Sequence, residues 1–312
     1  MLSRTADHLY WMSRYVERAE NSARMLDAHY RLLLLPRPAE ATRHGWIATL
    51  TSLGMLEDFS ARHAKLTPRA AIDFVAFDRE HPGSIVRCLR AARENAHAVR
   101  GTITSEMWET LNSTWLETPR FTTQAADAGI GEFIEWVKYR SHLTRGVTNG
   151  TMLKDEAWHF TCIGTFIERA DNTTRVLEAR WRDADAVDAR LTPEASEWAV
   201  LLRALSAFEV YRRVYRENVS AERVTELLLL NSQMPRSVHR SLDDLYIHLC
   251  AVRNAHSAET ERRAGELHAA LRFGKLQELL SGNVTAFLDH FQGRLNELAD
   301  GIAQDFLVAG YG

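Results

Sequence analysis

Residues 17–24 read ERAENSAR, and residues 168–175 read ERADNTTR. The match extends in both directions. A shift of 151 aligns Ala6 with Ala157, His8 with His159, Glu17 with Glu168, Arg18 with Arg169, Asn21 with Asn172, Arg24 with Arg175 and Leu26 with Leu177. A shift of 152 aligns Trp46, Leu50 and Leu53 with Trp198, Leu202 and Leu205, and a shift of 153 aligns PGSIVRCL (82–89) with PRSVHRSL (235–242). Ordered blocks with so little drift predict a tandem duplication, with halves 1–150 and 151–312 packed as one unit.

Around the motif the chain reads as helix. Over 5–34, Leu9, Met12, Tyr15, Val16, Ala19, Ala23 and Leu26 fall on one broad face at about 100° per residue. Phe160, Ile163, Phe166, Ile167, Ala170 and Leu177 do so in the second half. The LPRP stretch at 35–38 ends the first helix. Further helices are expected over 40–62, 83–104, 105–117, 130–150, 236–257, 259–280 and 284–308. Thr67-Pro68 and Ser220-Ala221 read as matching capped starts. Seven prolines and sixteen glycines are few for 312 residues, and no stretch alternates with period two. The expected fold is all-α, a helical bundle built from two pseudo-symmetric halves.

Composition excludes several function classes. The net charge of −3 gives no basic field for nucleic acid or an anionic membrane. Of 38 basic residues 34 are Arg and 4 Lys, which suits forked recognition of carboxylate or phosphate and is also what a GC-rich genome produces. Cys88, Cys162 and Cys250 are odd in number and lack CxxC spacing, so a cytoplasmic setting without disulfides fits. The longest apolar run worth noting, LLLL at 32–35, is too short for a bilayer, and no signal-peptide apolar region opens the chain. No phosphate loop, dinucleotide fingerprint, nucleophile elbow or HExxH is present, so no cofactor is implied.

On the helical wheel Glu17, Asn21 and Arg24 share one stripe, as do Glu168, Asn172 and Arg175, roughly opposite the apolar face. The stripe reads as a solvated face, as a buried polar network where the halves meet, or as an acid–base site. The agreement of Glu, Arg, Asn and Arg while core positions differ favours the network. If it is catalytic, Glu17 or Glu168 is the general acid–base and the arginines hold a carboxylate. EAWH (156–159) has the Glu-x-x-His spacing of di-iron bundles, and a metal-binding bundle is the third reading. The first half offers TADH (5–8) instead, and no metal ligand is assigned. RENAH (93–97) and RNAH (253–256) are Arg- and Asn-rich, and EMWETLN (106–112) places Glu106 and Glu109 beside Trp108, expected as a core anchor.

The blocks ADHLYWMSRYVERAENSARML, RENAHAVRGTITSEMWETLN, RGVTNGTMLKDEAWHF, IERADNTTRVLE and MPRSVHRSL together resemble the bacterial alpha-E family, a predicted α-helical domain named for its ER motif. The resemblance covers Leu2 to Phe306. It implies a setting beside circularly permuted ATP-grasp proteins and transglutaminase-like proteins. By that association the expected function is a helical partner or auxiliary subunit of a peptide-modifying or amide-forming system. The alternative is an enzyme acting on a peptide or amino-acid amide. The motif residues carried over are Glu17, Arg18, Asn21, Arg24, Glu168, Arg169, Asn172 and Arg175, with Arg93, Glu94, Asn95, Glu106 and Glu156 in family-like blocks.

Overall fold

The computed structural model describes residues 1–33, 38–124, 129–186 and 195–307. Among them there are helices and no strand. The first half carries α1 (Ser3–Leu33), α2 (Ala39–Ser52), α3 (Leu56–Arg62), α4 (Pro68–Phe77), α5 (Ile85–Ala98), α6 (Ser105–Gln124) and α7 (Ile130–Thr151). The second carries α8 (Glu156–Ala186), α9 (Ala195–Ala204), α10 (Phe208–Tyr215) and α11 (Ala221–Thr225), which continues into a π-helical turn at Glu226–Leu230. There follow α12 (Val238–Ala251), α13 (Ala258–Arg272), α14 (Leu276–Ser281) and α15 (Val284–Phe306).

The two motif-bearing helices, α1 and α8, are 31 residues each, about 46 Å at 1.5 Å per residue. They pack against each other at the centre. Helices α5, α7 and α9 also pack on α1, and α12 and α15 on α8. Close approach of the pair depends on Gly164: a Cβ there would collide with the Tyr10 carbonyl oxygen and Ser13 Oγ. Because α1 is enclosed from several sides, its polar stripe does not face solvent, although the wheel placed it opposite the apolar face. Leu9, Met12, Ala19 and Leu26 are buried, and so are Glu17, Glu20 and Asn21.

The caps come from residue types suited to them. Thr67 Oγ1 accepts from Ala70 N at 3.2 Å and Ser220 Oγ from Arg223 N at 3.3 Å. Ser84 and Ser237 cap α5 and α12, accepting from Arg87 N at 3.3 Å and Arg240 N at 3.0 Å. Each follows a side-chain turn: Asp78 Oδ1 accepts from Glu80 N and His81 N, and Asn231 Oδ1 from Gln233 N and Met234 N.

Some expected helices differ. The stretch 40–62 is broken at Gly54, whose φ of +67° suits glycine; Met55 N then donates to Leu50 O at 2.8 Å and closes α2. The stretch 259–280 is likewise interrupted, at Phe273–Lys275, around Gly274. Helix α5 ends at Ala98, short of 104, because the chain turns at Val99–Ile103, and α6 runs on to Gln124. Of the LPRP stop, residues 35–37 lie outside the described residues.

Apolar burial falls into two cores. One lies within the first half and contains Trp46, Phe59, Phe74 and Phe133. The other joins the start of α1, parts of α5 and α6, and the second half, including Phe160, Tyr211, Leu245 and Phe291. Met107 enters this core, whereas Trp108 is only half-buried, with Arg93 and Arg100 over its ring at 5.5 and 5.4 Å. The core position of this stretch is therefore Met107; Trp108, expected there, packs against the edge of the core and carries two guanidiniums on its ring.

Candidate site at the crossed Glu–Arg forks

The two ER dipeptides exchange partners across the α1–α8 contact. Arg18 of α1 grips Glu168 of α8 as a fork, Nε donating to Oε1 at 2.6 Å and Nη2 to Oε2 at 2.9 Å. Arg169 of α8 grips Glu17 of α1 in the same way, with Nε to Oε1 and Nη2 to Oε2 both at 2.9 Å. Such two-point contacts fix both distance and rotation of the partners. Glu17 is 2 % exposed and Glu168 4 %, so both carboxylates are buried, while Arg18 keeps part of its side chain at the surface.

Each carboxylate has further donors. Arg14 Nε reaches Glu168 Oε2 at 2.8 Å. Glu17 also accepts from Arg145 Nη1 and from Arg236 Nη1, both at 3.0 Å. Arg236 arrives from the loop before α12 and donates as well to Asn21 Oδ1 at 2.8 Å and Glu20 Oε1 at 2.6 Å. Glu20 is fully buried and is also paired with Arg24 and Arg145. Together, three carboxylates (Glu17, Glu20, Glu168) face six guanidiniums (Arg14, Arg18, Arg24, Arg145, Arg169, Arg236).

This excess of positive charge sets the protonation states. Burial pushes the Glu17 carboxyl up, but Arg169, Arg236 and Arg145 outweigh it and hold the group well below the usual carboxylate range. Burial likewise opposes Arg18 and Arg14 at Glu168, whose pKa nevertheless falls to about 2. Glu20 is lowered against its burial chiefly by Arg236. Arg236 itself is drawn down to about 10, by burial that Glu17 and Glu20 only partly offset. All three carboxylates are ionised at neutral pH and are weak bases.

Above Glu17 a cleft of about 390 Å³ opens between α1, α7, α8 and the start of α12. Arg145, Arg169, Arg240 and Asp244 contribute charge to its lining; Thr144, Thr148, Thr161 and Thr165 contribute hydroxyls; Met12, Val16, Met107 and Phe166 contribute apolar surface. The four threonine hydroxyls donate to the carbonyls one turn earlier, at 2.8–3.0 Å. Their remaining lone pairs can accept from a ligand N–H. Arg240 uses Nε and Nη2 on Asp244, which leaves Nη1 as a donor. Cys162 lines the cleft too, but burial lifts its thiol to about 12, so it is not a thiolate nucleophile.

The other sequence-predicted residues are dispersed. Arg24 joins the cluster through Glu20 and contacts Ser206 and His142. Asn172 is buried on α8, and Arg175 pairs with Asp171 at 2.9 Å. Asn95 meets His8 Nδ1 at 2.8 Å, Arg93 donates to Asn112, and Glu94 pairs with Arg90. Glu106 is exposed. Glu156 accepts from the Met1 amino group, while His159 Nδ1 meets His248 Nδ1 at 2.9 Å. The residues of EAWH thus have separate partners and do not converge with His8. Sequence reasoning missed Glu20, Arg14, Arg145, Arg236 and Arg240. For Glu20 the signal was present, since ERAE and ERAD both carry an acid three residues after the glutamate.

No helix of the described residues is long and apolar enough to cross a membrane. No solved structure matches the chain. It is 27% identical over 320 residues to an uncharacterised protein of Mycobacterium tuberculosis and, equally, to one of Mycobacterium bovis. The alignments cover 96% of this chain and 35% of each relative, so the chain spans about a third of the length of the curated relatives it matches. The family model described as a predicted alpha-helical domain with a conserved ER motif matches residues 1–307, and the chain belongs to that family, Alpha-E.

Proposed function

We propose that the protein is a helical partner, an auxiliary subunit of an ATP-grasp-linked system that modifies peptides or forms amides. Its part is to hold a carboxylate-bearing peptide in the cleft above Glu17. The observation that carries this reading is the composition of the cleft. Arg145, Arg169 and Arg240 outnumber Glu17 and Asp244, and threonine oxygens able to accept peptide N–H groups line the walls. Ion-paired carboxylates held ionised and a thiol held neutral favour binding over proton transfer or nucleophilic attack. The ATP-grasp and transglutaminase-like partners rest on the family resemblance, and the cytoplasmic setting rests on three cysteines without CxxC spacing.

The same reading takes the two halves as copies of one ancestral unit. The crossed forks, and the matching side-chain turns and caps at Asp78–Ser84 and Asn231–Ser237, support that origin. The ER motif then locks one half against the other and sets the shape of the cleft. A second reading, an amidase-type enzyme with Glu17 as acid–base, is favoured only by the position of Glu17 in the cleft lining.

The test is calorimetric titration of the protein with a short peptide bearing a free carboxylate and with its carboxamide counterpart. Binding of the acid but not the amide, weakened by Arg145→Gln, is the expected result. Equal binding of both, or of neither, removes the reading. Turnover of the carboxamide that disappears in Glu17→Gln establishes the enzyme instead.

A further inference from the structure

Away from the forks, α12 and α13 bring together a second chemically competent group. His239 and Asp243 lie four residues apart on α12 and therefore share a face. His268 meets them from α13, which packs alongside. One ligand atom from each residue lies within 4.8 Å of the other two, and no other such trio of His, Cys, Asp or Glu occurs among the described residues. We infer that His239, Asp243 and His268 form a binding site for a divalent transition-metal ion of the zinc type, with one coordination position left to water.

Three features distinguish this group from an ordinary histidine–carboxylate contact. His239 Nδ1 lies 2.8 Å from the Leu230 carbonyl oxygen. A carbonyl can only accept, so Nδ1 carries the proton and Nε2 holds the lone pair. Metal-binding histidines are oriented in this way, with the second ring nitrogen donating to a carbonyl or carboxylate. Leu230 closes the π-helical turn, a backbone irregularity common at functional sites. The His268 ring is in turn held by Tyr246, stacked at 5.6 Å between centroids with 13° between planes. Finally, His239 is buried while Asp243 and His268 are half-buried, so an ion has both a sheltered anchor and a path in from solvent.

The dimensions fit. Zinc bonds to imidazole nitrogen and carboxylate oxygen are about 2.0–2.2 Å, which puts neighbouring tetrahedral donors roughly 3.3 Å apart. His268 Nε2 and Asp243 Oδ1 stand 2.5 Å apart; an ion replaces the proton held between them, which is released to solvent, spreads the pair by less than about an ångström and draws His239 toward them. Two imidazoles and one carboxylate suit zinc, iron, cobalt or nickel and do not suit magnesium or calcium. The ion would fasten α13 to α12, whose neighbouring stripe carries Arg240 and Asp244 into the cleft. The site does not depend on what the cleft binds.

The experiment uses the full chain, freed of metal by dialysis against a chelator and titrated with Co²⁺. Visible ligand-field bands saturating at about one equivalent, displaced by Zn²⁺ and accompanied by a higher melting temperature, are expected. His268→Ala and Asp243→Asn should each abolish the bands and the thermal shift. Both positions are half-buried, so the metal-free variants should melt near the wild type; Asp243→Asn, nearly isosteric, decides the matter if His268→Ala unfolds. No saturable bands in the wild type, or bands unchanged in both variants, overturns the assignment.

Discussion

Replacing Glu168 by Gln keeps the shape of the side chain and removes its charge from between Arg14 and Arg18. In the wild type that carboxylate accepts three N–H groups at 2.6–2.9 Å, and its pKa falls from 4.5 to about 2. A shift of that size corresponds to about 3 kcal/mol of stability at neutral pH. Loss of one partner of a buried ion pair costs about 3–5 kcal/mol. Arg18, 30 % exposed, can recover some hydration, so a loss near the lower end, about 3 kcal/mol, is expected. Urea unfolding followed by circular dichroism at pH 7 measures it. The pH dependence has a defined sign. The folded-state pKa is depressed, so the stabilisation is complete above about pH 4.5 and fades as pH falls toward 2. The gap between wild type and Glu168→Gln should therefore narrow in acid. A loss under about 1 kcal/mol, typical of exposed pairs, or a gap that stays constant from pH 7 to pH 3, would refute the reasoning.

Gly164→Ala raises helix propensity by up to about 1 kcal/mol, but its methyl group meets the Tyr10 backbone. Overpacking of about 1–3 kcal/mol should dominate, giving a net loss in urea unfolding; a stabilised variant would show that α1 and α8 are not in close contact. Ser84→Ala and Ser237→Ala each remove a helix cap and should cost about 1 kcal/mol apiece, additively, because they cap different helices. Burial, with His159 and Lys154 nearby, brings His248 down to about 4. The unfolded chain takes up that proton near pH 6.5 and the folded chain does not. Stability should thus decline as pH falls from 6.5 toward 4, and His248→Asn should flatten that part of the profile.

The helical class was legible because period 3.6 and the scarcity of Gly and Pro act locally. The Thr67 and Ser220 caps depend on residues within three positions, and both form as expected. For the ER stripe, the agreement between the two copies pointed to a buried network between the halves, but its partners were not legible. A helical wheel assumes one buried face, whereas α1 is enclosed by α5, α7, α8 and α9, so both of its faces are inside. Nor could the sequence bring Arg145 and Arg236 to Glu17, from 128 and 219 residues away. Those contacts follow from how α7 and the loop before α12 dock, and no short-range pattern encodes docking. The break at Gly54 shows the converse: one glycine within a helical pattern is compatible with continuation, and only the packed structure reveals a positive φ.

The most direct test of the proposed role is a reconstituted reaction. An ATP-grasp protein of the same system is incubated with ATP, a peptide substrate and an amine, and amide product is followed by mass spectrometry with and without this chain. Faster or more selective product formation with the wild type, and loss of that gain with a correctly folded Arg145→Gln variant, is the predicted result. Identical rates and products with and without the chain would contradict a partner role.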